Sequence, residues 1–465
     1  MRIPVISGTV MTEAGEFLTS YPVNREPFLK DTGLSDGYLA IPAGITLAAA
    51  TGLGADRGGI NWNDTCYRVI GTKLCKVASD WTVTQLGDVG AGGVCALDYS
   101  FDNLIINSGT SLYYYNTTAG LRQVTDPDLG VVVDAIWVDG YTMTTDGEFI
   151  IVSDLTDPTS INPLKYGSSE ESPDAVTGLL HMHGEVYVLN RYTIEIFQDI
   201  GGTGFPFQSV KTASIPYGCV GPRAKCKYLG SFAFVGGPEN TAPGVYIAGA
   251  GEASKISSQE VDKALAALSA AELAAVWLEA RVNEDDARLI MHLPDRSWGF
   301  SSQVSRKSSV KTWCQYVTGT GGSGRYEGRG LAYCYGKWIV GSSTGQVGYL
   351  DKSTALHFGA VVGWQFDTTL LYNESNKAIL TGLELIGTPG RGDADSRVFF
   401  SYTKDGELWS QERATSAGKL GERRKRPAWR PGIRFETYMG LRFRGADESM
   451  MGIARLEADI EPLES

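Results

Sequence analysis

The feature that most constrains this chain is a loose repeat of short strand-like runs joined by glycine turns. The stretch VCALDYSFDNLIINSGTSLYYYN, residues 94–116, contains three such runs. The stretch DAIWVDGYTMTTDGEFIIVSD, residues 134–154, repeats the scheme with an Asp-Gly pair at each of its two turns. Asp-Gly pairs between alternating apolar runs are signals for β-hairpins. The pattern therefore predicts consecutive groups of antiparallel strands.

The repeat continues through most of the chain. Further copies are TGLLHMHGEVYVLNRYTIEIFQ (177–198) and GLAYCYGKWIVGSSTGQVGYLD (330–351). The unit is about 35–50 residues long and holds three or four strands, which is typical of a propeller blade. One such unit cannot cover both faces of its sheet, so several must stack in a ring. We therefore predict an all-β chain in which residues 58–356 form a β-propeller of roughly six to seven blades.

Two regions flank the predicted propeller. Residues 1–57 have turn residues but weak periodicity, and we expect an N-terminal arm there. Residues 357–465 contain longer alternating runs, such as RVFFSYTKDGELWSQE, and predict a C-terminal β-sandwich-like domain. The chain is thus predicted to consist of an arm, a propeller and a second β domain.

One stretch inside the propeller region has a different pattern. Residues 256–277, ISSQEVDKALAALSAAELAAVW, are typical of two short helices. Ser257 with Glu260, and Ser269 with Glu272, have the spacing of a capping box. We expect this helical insert to lie at a blade edge.

The charge of the chain is unevenly distributed. The formal net charge is −12, and residues 1–356 account for −11 of it, with 26 basic and 37 acidic residues. An acidic body argues against a protein that wraps nucleic acid. No apolar run of about 18 residues predicts a membrane span, and the acidic N-terminal stretch does not resemble a signal peptide. The seven scattered cysteines, without a C-x-x-C motif, are expected to be free thiols.

The glycine-rich stretch DIGGTGFPF, residues 199–207, superficially resembles a phosphate-binding loop. A P-loop requires a Lys-Ser/Thr pair and a helix after its glycines. Here Phe205, Pro206 and Phe207 follow instead, and Pro206 favours an extended chain. We therefore predict a tight loop between the third and fourth strands of one blade, with no nucleotide bound.

Other motifs for catalysis or metal binding are weak. SYTKDGELW, residues 401–409, approaches the Asp-box of sialidases but has the wrong spacing, and we interpret it as a hairpin turn over Trp409. His181 and His183 are spaced to share one strand face, yet too few histidines accompany them for a zinc site. We predict no catalytic residue, metal or cofactor. The RGD at 391–393 looks like an adhesion tripeptide, but we interpret TPGRGDADS as an ordinary polar loop. The alternative functions are a carbohydrate-active propeller enzyme and a host-binding adhesin.

The most distinctive charged segment lies near the C-terminus, in ERRKRPAWRPGIR. Dense basic charge beside an aromatic residue, in an otherwise acidic chain, favours contact with an acidic protein surface or with phosphate. The alternative is a solvated loop. The candidate protein–protein contact residues are Arg423, Arg424, Lys425, Arg426, Trp429, Arg430 and Arg434.

Several stretches, taken together and in order, resemble one protein family. They are YPVNREP, YRVIGTKLCKV, TIEIFQDIGGTGFPFQ, KISSQEVDKAL, IMHLPDRSWGF and RPAWRPGIRFETYMGLRFRG. The chain resembles the packaged-DNA stabilization proteins of short-tailed bacteriophages, which form the tail hub or nozzle. The resemblance covers about residues 20–445, and it rests on the collinear set because no single motif is specific.

The resemblance implies a β-propeller fold and a homohexameric ring in the virion tail, assembled in the host cytoplasm. The implied partners are the head-to-tail adaptor protein, the tail needle and the tailspike or fibre proteins. The ring would retain packaged DNA and form part of the ejection channel, through which DNA passes without sequence-specific binding.

Overall fold

A computed structural model describes residues 1–463 except 12–14, 31–34, 36, 156, 170–171, 203, 212, 250, 284–285, 373–375, 393–394, 447 and 449. These residues form a propeller and a C-terminal β-sandwich, with three short helices among the described residues. The first six strands precede the propeller repeat. They are β1 (Arg2–Ile3), β2 (Gly8–Met11), β3 (Phe17–Ser20), β4 (Glu26–Leu29), β5 (Gly37–Ala40) and β6 (Gly44–Ala50).

Seven antiparallel sheets follow one another along the chain as blades 1 to 7. Blade 1 contains β7 (Asp56–Trp62), β8 (Thr65–Ile70), β9 (Lys73–Val77) and β10 (Val83–Asp88). Blade 2 contains β11 (Ala96–Tyr99), β12 (Leu104–Ser108), β13 (Ser111–Asn116) and β14 (Gly120–Gln123). Blade 3 contains β15 (Asp134–Val138), β16 (Tyr141–Thr145), β17 (Phe149–Asp154) and β18 (Asp157–Ser168). Blade 4 contains β19 (Val176–Met182), β20 (Glu185–Asn190), β21 (Ile194–Asp199) and β22 (Phe207–Ser209).

The later blades carry the helices. Blade 5 contains β23 (Gly218–Cys219), β24 (Lys225–Tyr228), β25 (Ser231–Gly237), β26 (Gly244–Gly249) and β27 (Glu252–Lys255), followed by α1 (Gln259–Ala266) and α2 (Ala270–Ala274). Blade 6 contains β28 (Trp277–Asn283), β29 (Asp286–His292), β30 (Ser297–Ser301), α3 (Ser302–Ser308) and β31 (Trp313–Tyr316). Blade 7 contains β32 (Arg329–Cys334), β33 (Lys337–Gly341) and β34 (Gln346–Asp351).

The ring is closed by a strand from the start of the chain. β6 pairs antiparallel with β34 as the fourth strand of blade 7, with Gly348 opposite Leu47 and Asp351 opposite Gly44. The inner strands β7 and β32 contact each other, so blade 7 meets blade 1. The predicted propeller of six to seven blades is therefore confirmed, with seven.

The blades hold together through strands that are buried on both faces. In β12, Leu104 and Ile106 pack into a cluster with Trp62 of blade 1, whereas Ile105 between them packs with Ile151 of blade 3. Successive side chains of a strand point to opposite faces. The continuous apolar run of β12 is therefore required because a blade lies on each side of it.

The C-terminal domain is a sandwich of two sheets. Its strands are β35 (Gly363–Asp367), β36 (Leu371–Tyr372), β37 (Ala378–Gly387), β38 (Ser396–Thr403), β39 (Arg413–Gly418), β40 (Ala428–Trp429), β41 (Ile433–Phe435), β42 (Tyr438–Ala446) and β43 (Ile453–Pro462). One sheet has the order β4-β5-β43-β37-β40, with β1 beside β43 and β41 beside β37. The other has the order β35-β42-β38-β39, with β36 beside β42. N-terminal strands thus complete both the propeller and the sandwich.

The helical insert is confirmed as two short helices, but one of its predicted caps is wrong. Ser269 and Glu272 form the expected capping box at α2. The N-cap of α1 is Ser258, because the hydroxyl of Ser257 instead hydrogen-bonds Asp262 and the backbone N–H of Val245. Helix α3, which interrupts blade 6, was not predicted. None of the helices in the described part of the chain is long and apolar enough to cross a membrane.

The glycine-rich loop has the predicted place. Residues 200–206 join β21 to β22, the third and fourth strands of blade 4. Gly201 has φ of +61°, a backbone conformation that favours glycine. Its N–H donates to Asp199 Oδ1 at 2.8 Å. The rings of Phe205 and Phe207 lie 5.9 Å apart in the blade core, so the aromatic residues after the glycines serve packing.

Candidate functional site

A polar pocket of about 620 Å³ lies on the propeller axis, lined by residues from the inner strands of all seven blades. Its charged lining residues are Asp98, Asp134, Arg223, Lys225, Lys227 and Glu279, and His181 also lines it. This is the place where a carbohydrate-active propeller enzyme would hold clustered carboxylates and arginine. The hydrogen-bond and ion-pair partners of each carboxylate therefore help to decide whether the pocket could be the active site of such an enzyme.

The pocket carboxylates join neighbouring blades. Asp98 of blade 2 accepts the backbone N–H of Trp137 in blade 3 at 2.8 Å. Asp134 of blade 3 accepts the N–H of Leu179 in blade 4 at 2.9 Å. Glu279 of blade 6 accepts the N–H of Leu331 in blade 7 at 2.7 Å. A hydrogen bond between a carboxylate of one blade and a backbone N–H of the next thus recurs at three blade junctions. The periodicity of the sequence does not predict these hydrogen bonds.

The surroundings of these acids are those of structural groups. Burial raises the pKa of Asp98, whereas burial at Asp134 is outweighed by Arg223 and Lys225, which lower the pKa of its carboxyl. Lys225 Nζ lies 2.5 Å from Asp134 Oδ2. Asp134 is thereby held as an ion-paired carboxylate between blades 3, 4 and 5.

The two strand histidines do not share a face as predicted. His181 is in β19 and lines the axial pocket, but His183 lies in the following turn with φ of +54°. Among the described residues, no group of three His, Cys, Asp or Glu side chains could hold a metal ion. The RGD tripeptide ends at Asp393, which lies outside the described residues. The Asp-box-like stretch forms the predicted turn, with Asp405 accepting the N–H groups of Glu407 and Leu408.

The segment YPVNREP joins the propeller to the sandwich. The N–H of Val23 donates to Gln365 O in β35, and the N–H of Asn24 donates to Gln315 O in β31, both at 2.8 Å. The Asn24 side-chain amide donates to Val317 O and Gly363 O. One short segment therefore hydrogen-bonds both domains at once.

Glu26 of the same segment lies in a buried ion cluster at this junction. Its carboxylate contacts the guanidinium groups of Arg281 and Arg288 in blade 6 and accepts the Tyr316 hydroxyl at 2.6 Å. Burial acts to raise the pKa of Glu26, but the two arginines outweigh it and the net shift is downward. Sequence reasoning used this segment only as a family signature and missed its role at the domain junction.

The predicted basic contact residues lie along one edge of the sandwich. β40 and β41 both pair with β37, and they form the edge of their sheet. Arg426, Arg430 and Arg434 are exposed and four residues apart, so they share the outer face of an extended edge. Arg426 makes a bidentate ion pair with Glu384, at 2.5 and 2.8 Å, and Arg434 lies 3.8 Å from Glu436.

Trp429 points the other way. It is 7% exposed, it packs against Phe400 and Phe443, and its Nε1–H donates to Arg413 O at 2.8 Å. Its ring is thus part of the sandwich core and supports the edge from beneath, instead of offering an anchor to a partner. The alternation of apolar and polar residues in RPAWRPGIRFE is typical of a strand and predicts that Trp429 faces the core while its neighbours are exposed.

The other three basic residues lie in a compact turn, residues 419–425, which we call the basic tip. The Lys419 N–H donates to Glu422 Oε2 and the Glu422 N–H donates to Lys419 O, both at 2.9 Å. The Gly421 N–H donates to Gly390 O at 3.1 Å. Arg423, Arg424 and Lys425 are exposed on this turn, beside Leu420, which is 61% exposed.

Comparison with known proteins gives matches over most of the chain. The family model described as "Bacteriophage P22 Gp10, beta-propeller" matches residues 1–355, and "Bacteriophage P22 Gp10, beta-sandwich" matches residues 363–461. A curated relative, "Tail hub protein gp10" of Salmonella phage P22, is 25% identical over 481 aligned positions, covering 96% of both chains.

Two solved structures are more distantly similar. The N-terminal domain of Nup159 has a TM-score of 0.42 at 9% identity, covering 71% of this chain and 98% of that one. PorZ of Porphyromonas gingivalis has a TM-score of 0.40 at 11% identity, covering 80% of this chain and 46% of that one. Neither likeness bears on function. The two family matches, in contrast, follow the propeller and the sandwich in order, and the chain belongs to the bacteriophage P22 Gp10 family.

Proposed function

We propose that this chain is a structural component of a bacteriophage tail, a tail hub protein that remains in the virion. The observation that carries the proposal is the match to the P22 tail hub protein over 96% of both chains. The order of the two domains is the same in the family models and in this chain. A protein of this kind works mechanically, through a rigid ring and broad contacts between subunits.

The finer proposal is a ring of six copies below the portal and its adaptor protein. The ring retains packaged DNA, meets the needle and the tailspike or fibre proteins, and forms part of the ejection channel. Residues 1–356, which include the propeller, carry a net charge of −11, and this favours the arrangement because acidic charge repels phosphate and lets DNA pass without adhering.

We infer that the protein has no catalytic activity. The carboxylates in the axial pocket are engaged by backbone N–H groups of the next blade or by buried cations, as Asp134 is by Lys225. A glycosidase requires one carboxylic acid and one carboxylate facing a sugar. The pocket acids instead stabilise the ring, which weighs against the enzyme alternative.

We further propose that the basic residues form a protein contact that points away from the DNA channel. Arg423, Arg424 and Lys425 are exposed, as are Arg430 and Arg434 farther along the edge. If they lined the channel they would bind phosphate and slow DNA passage. The division into residues 1–57, 58–356 and 357–465 also remains our proposal, with the first segment donating strands to the other two.

A phage that lacks this protein tests the function. We expect heads to fill with DNA and then to lose it, because the hub is proposed to retain DNA after packaging. The measurement is the fraction of full heads before and after a wash, with wild-type phage as the control. Heads that never fill would point to a role in packaging and contradict the proposal.

The contact residues have their own test. Replacing Arg423, Arg424 and Arg426 with Ala is expected to weaken tail attachment, and the loss should be larger at low salt, where charge pairing is least screened. Folding of the propeller should be unchanged. Equal attachment of mutant and wild type at both salt concentrations would make the cluster a solvated surface.

A further inference from the structure

One face of the propeller carries exposed apolar side chains. Every blade is antiparallel, so the turns after its first and third strands lie on the same face of the ring. On blades 2 and 3 these turns expose Tyr99, Phe101 and Leu155, and Phe101 is 88% exposed. Leu155 contacts the turn at Gly140, whose added Cβ would lie 2.9 Å from Leu155 Cδ1. The apolar groups thus lie around two neighbouring blades.

Acidic residues surround this apolar group. Asp102, Asp139 and Asp157 are exposed on the same turns of blades 2 and 3, and Asp64 and Asp80 are exposed on those of blade 1. In the described part of blades 1 to 4, the residues between first and second strands and between third and fourth strands include no Lys or Arg. We call the surface formed by Tyr99, Phe101, Asp102, Asp139, Leu155 and Asp157 the acidic face.

The basic tip is complementary to the acidic face in both charge and polarity. Leu420 is exposed on the same turn as Arg423, Arg424 and Lys425. The hydrogen bonds between Lys419 and Glu422 hold the turn closed, so little ordering is required when it binds. An apolar side chain inside a ring of charges is a common arrangement at a protein contact.

We propose that the basic tip of one copy binds the acidic face of a second copy of this chain. Both surfaces are exposed within one copy, so they do not cover each other there. A contact between two different surfaces of identical chains is head-to-tail, and it closes into a ring when the rotation permits. This inference rests on the proposed ring of copies and names the surfaces that meet in it.

Zero-length carbodiimide cross-linking tests the contact directly, because it joins a lysine only to a carboxylate that touches it. Reconstituted tails are assembled from a mixture of isotopically labelled and unlabelled full-length chains. We expect peptides that join Lys425 of one isotope to Asp102, Asp139 or Asp157 of the other. Links from Lys425 only to other sites, or to other tail proteins, would overturn the contact while leaving the tail-hub role in place.

Matched variants provide the second measurement. Leu420→Ala should reduce incorporation into the ring about tenfold, as expected for a hot-spot side chain, whereas Leu408→Ala, an exposed leucine elsewhere in the sandwich, should leave it unchanged. A chain with Arg423→Glu and Arg424→Glu should not be incorporated into the ring by itself, and mixing it with a chain that carries Asp102→Lys and Asp139→Lys should restore incorporation. Lack of rescue, with both variants shown to be folded, would refute the pairing. Absence of wild-type chain from purified tails would instead contradict the proposed function.

Discussion

Two arginine-rich regions of the molecule differ sharply in environment. At the domain junction, Arg281 and Arg288 are buried against Glu26. At the sandwich edge, Arg426 pairs with Glu384 and its side chain is 72% exposed. The first region joins two parts of one chain, whereas the second is open to a partner.

This contrast separates arginines that act on stability from arginines that act on assembly. A buried charge that loses its partner costs several kcal/mol, since water cannot replace the lost contact. An exposed ion pair contributes about 0–1 kcal/mol because water competes with it. We therefore expect the junction arginines to determine whether the chain folds and the edge arginines to determine what it binds.

The largest effect is expected at Glu26. Glu26→Gln keeps the shape of the side chain but leaves two buried guanidinium groups without that counter-charge. We expect the free energy of unfolding to fall by about 3–5 kcal/mol. Chemical denaturation of the purified chain measures it. A loss below about 1 kcal/mol, the range of an exposed pair, would erase the distinction between the two regions.

An effect of intermediate size on stability is expected from pH, through His357 in the connection between the two domains. Burial lowers the pKa of His357, in the connection between blade 7 and the sandwich, to about 4. The folded chain therefore keeps this imidazole neutral, whereas the unfolded chain binds a proton below pH ~6.5. Stability from this group is present above pH ~6.5 and is lost as the pH falls towards 4, by about 2 kcal/mol between pH 6.5 and 5.

His357→Asn isolates that contribution. The variant should lose less stability than wild type between pH 7 and 5, measured by denaturant unfolding at both values. His183→Asn, in an exposed turn, is the control and should follow the wild-type curve. An identical pH dependence for His357→Asn and wild type would assign the acid sensitivity to other groups.

The smallest effect on stability is expected at the edge. Glu384→Gln removes the partner of Arg426 and should change the free energy of unfolding by less than about 1 kcal/mol. Because it also frees a basic side chain, tail attachment at low salt should not weaken. Thermal unfolding and attachment assays on the same preparation check both parts, and a large loss of stability would place this pair with the buried ones.

Local patterns predicted the blades and the sandwich, because alternating strands and tight turns are encoded within a few residues of each other. The closure of blade 7 by β6 was not predictable, since residues 44–50 pair with residues about 300 positions later. The links from Asp98, Asp134 and Glu279 to the next blade were missed for the same reason. They depend on the ring geometry and not on any local motif.

The candidate contact was predicted as a set of residues but not as a shape. The composition of the basic segment identified its charge. It did not separate Trp429, which is buried in the core, from Arg430 beside it, which is exposed. The strand alternation in RPAWRPGIRFE would have made that separation, had the segment been treated as an edge strand instead of a loop.

A cryo-electron microscopy reconstruction of the tail would show the number of copies of this chain and the surface that each copy turns to the DNA. We expect a ring of six copies around the DNA channel, next to the adaptor protein, with the acidic propeller towards the lumen and the basic edge turned away. A ring of twelve copies, a single copy, or a channel lined by residues 423–434 would contradict this expectation.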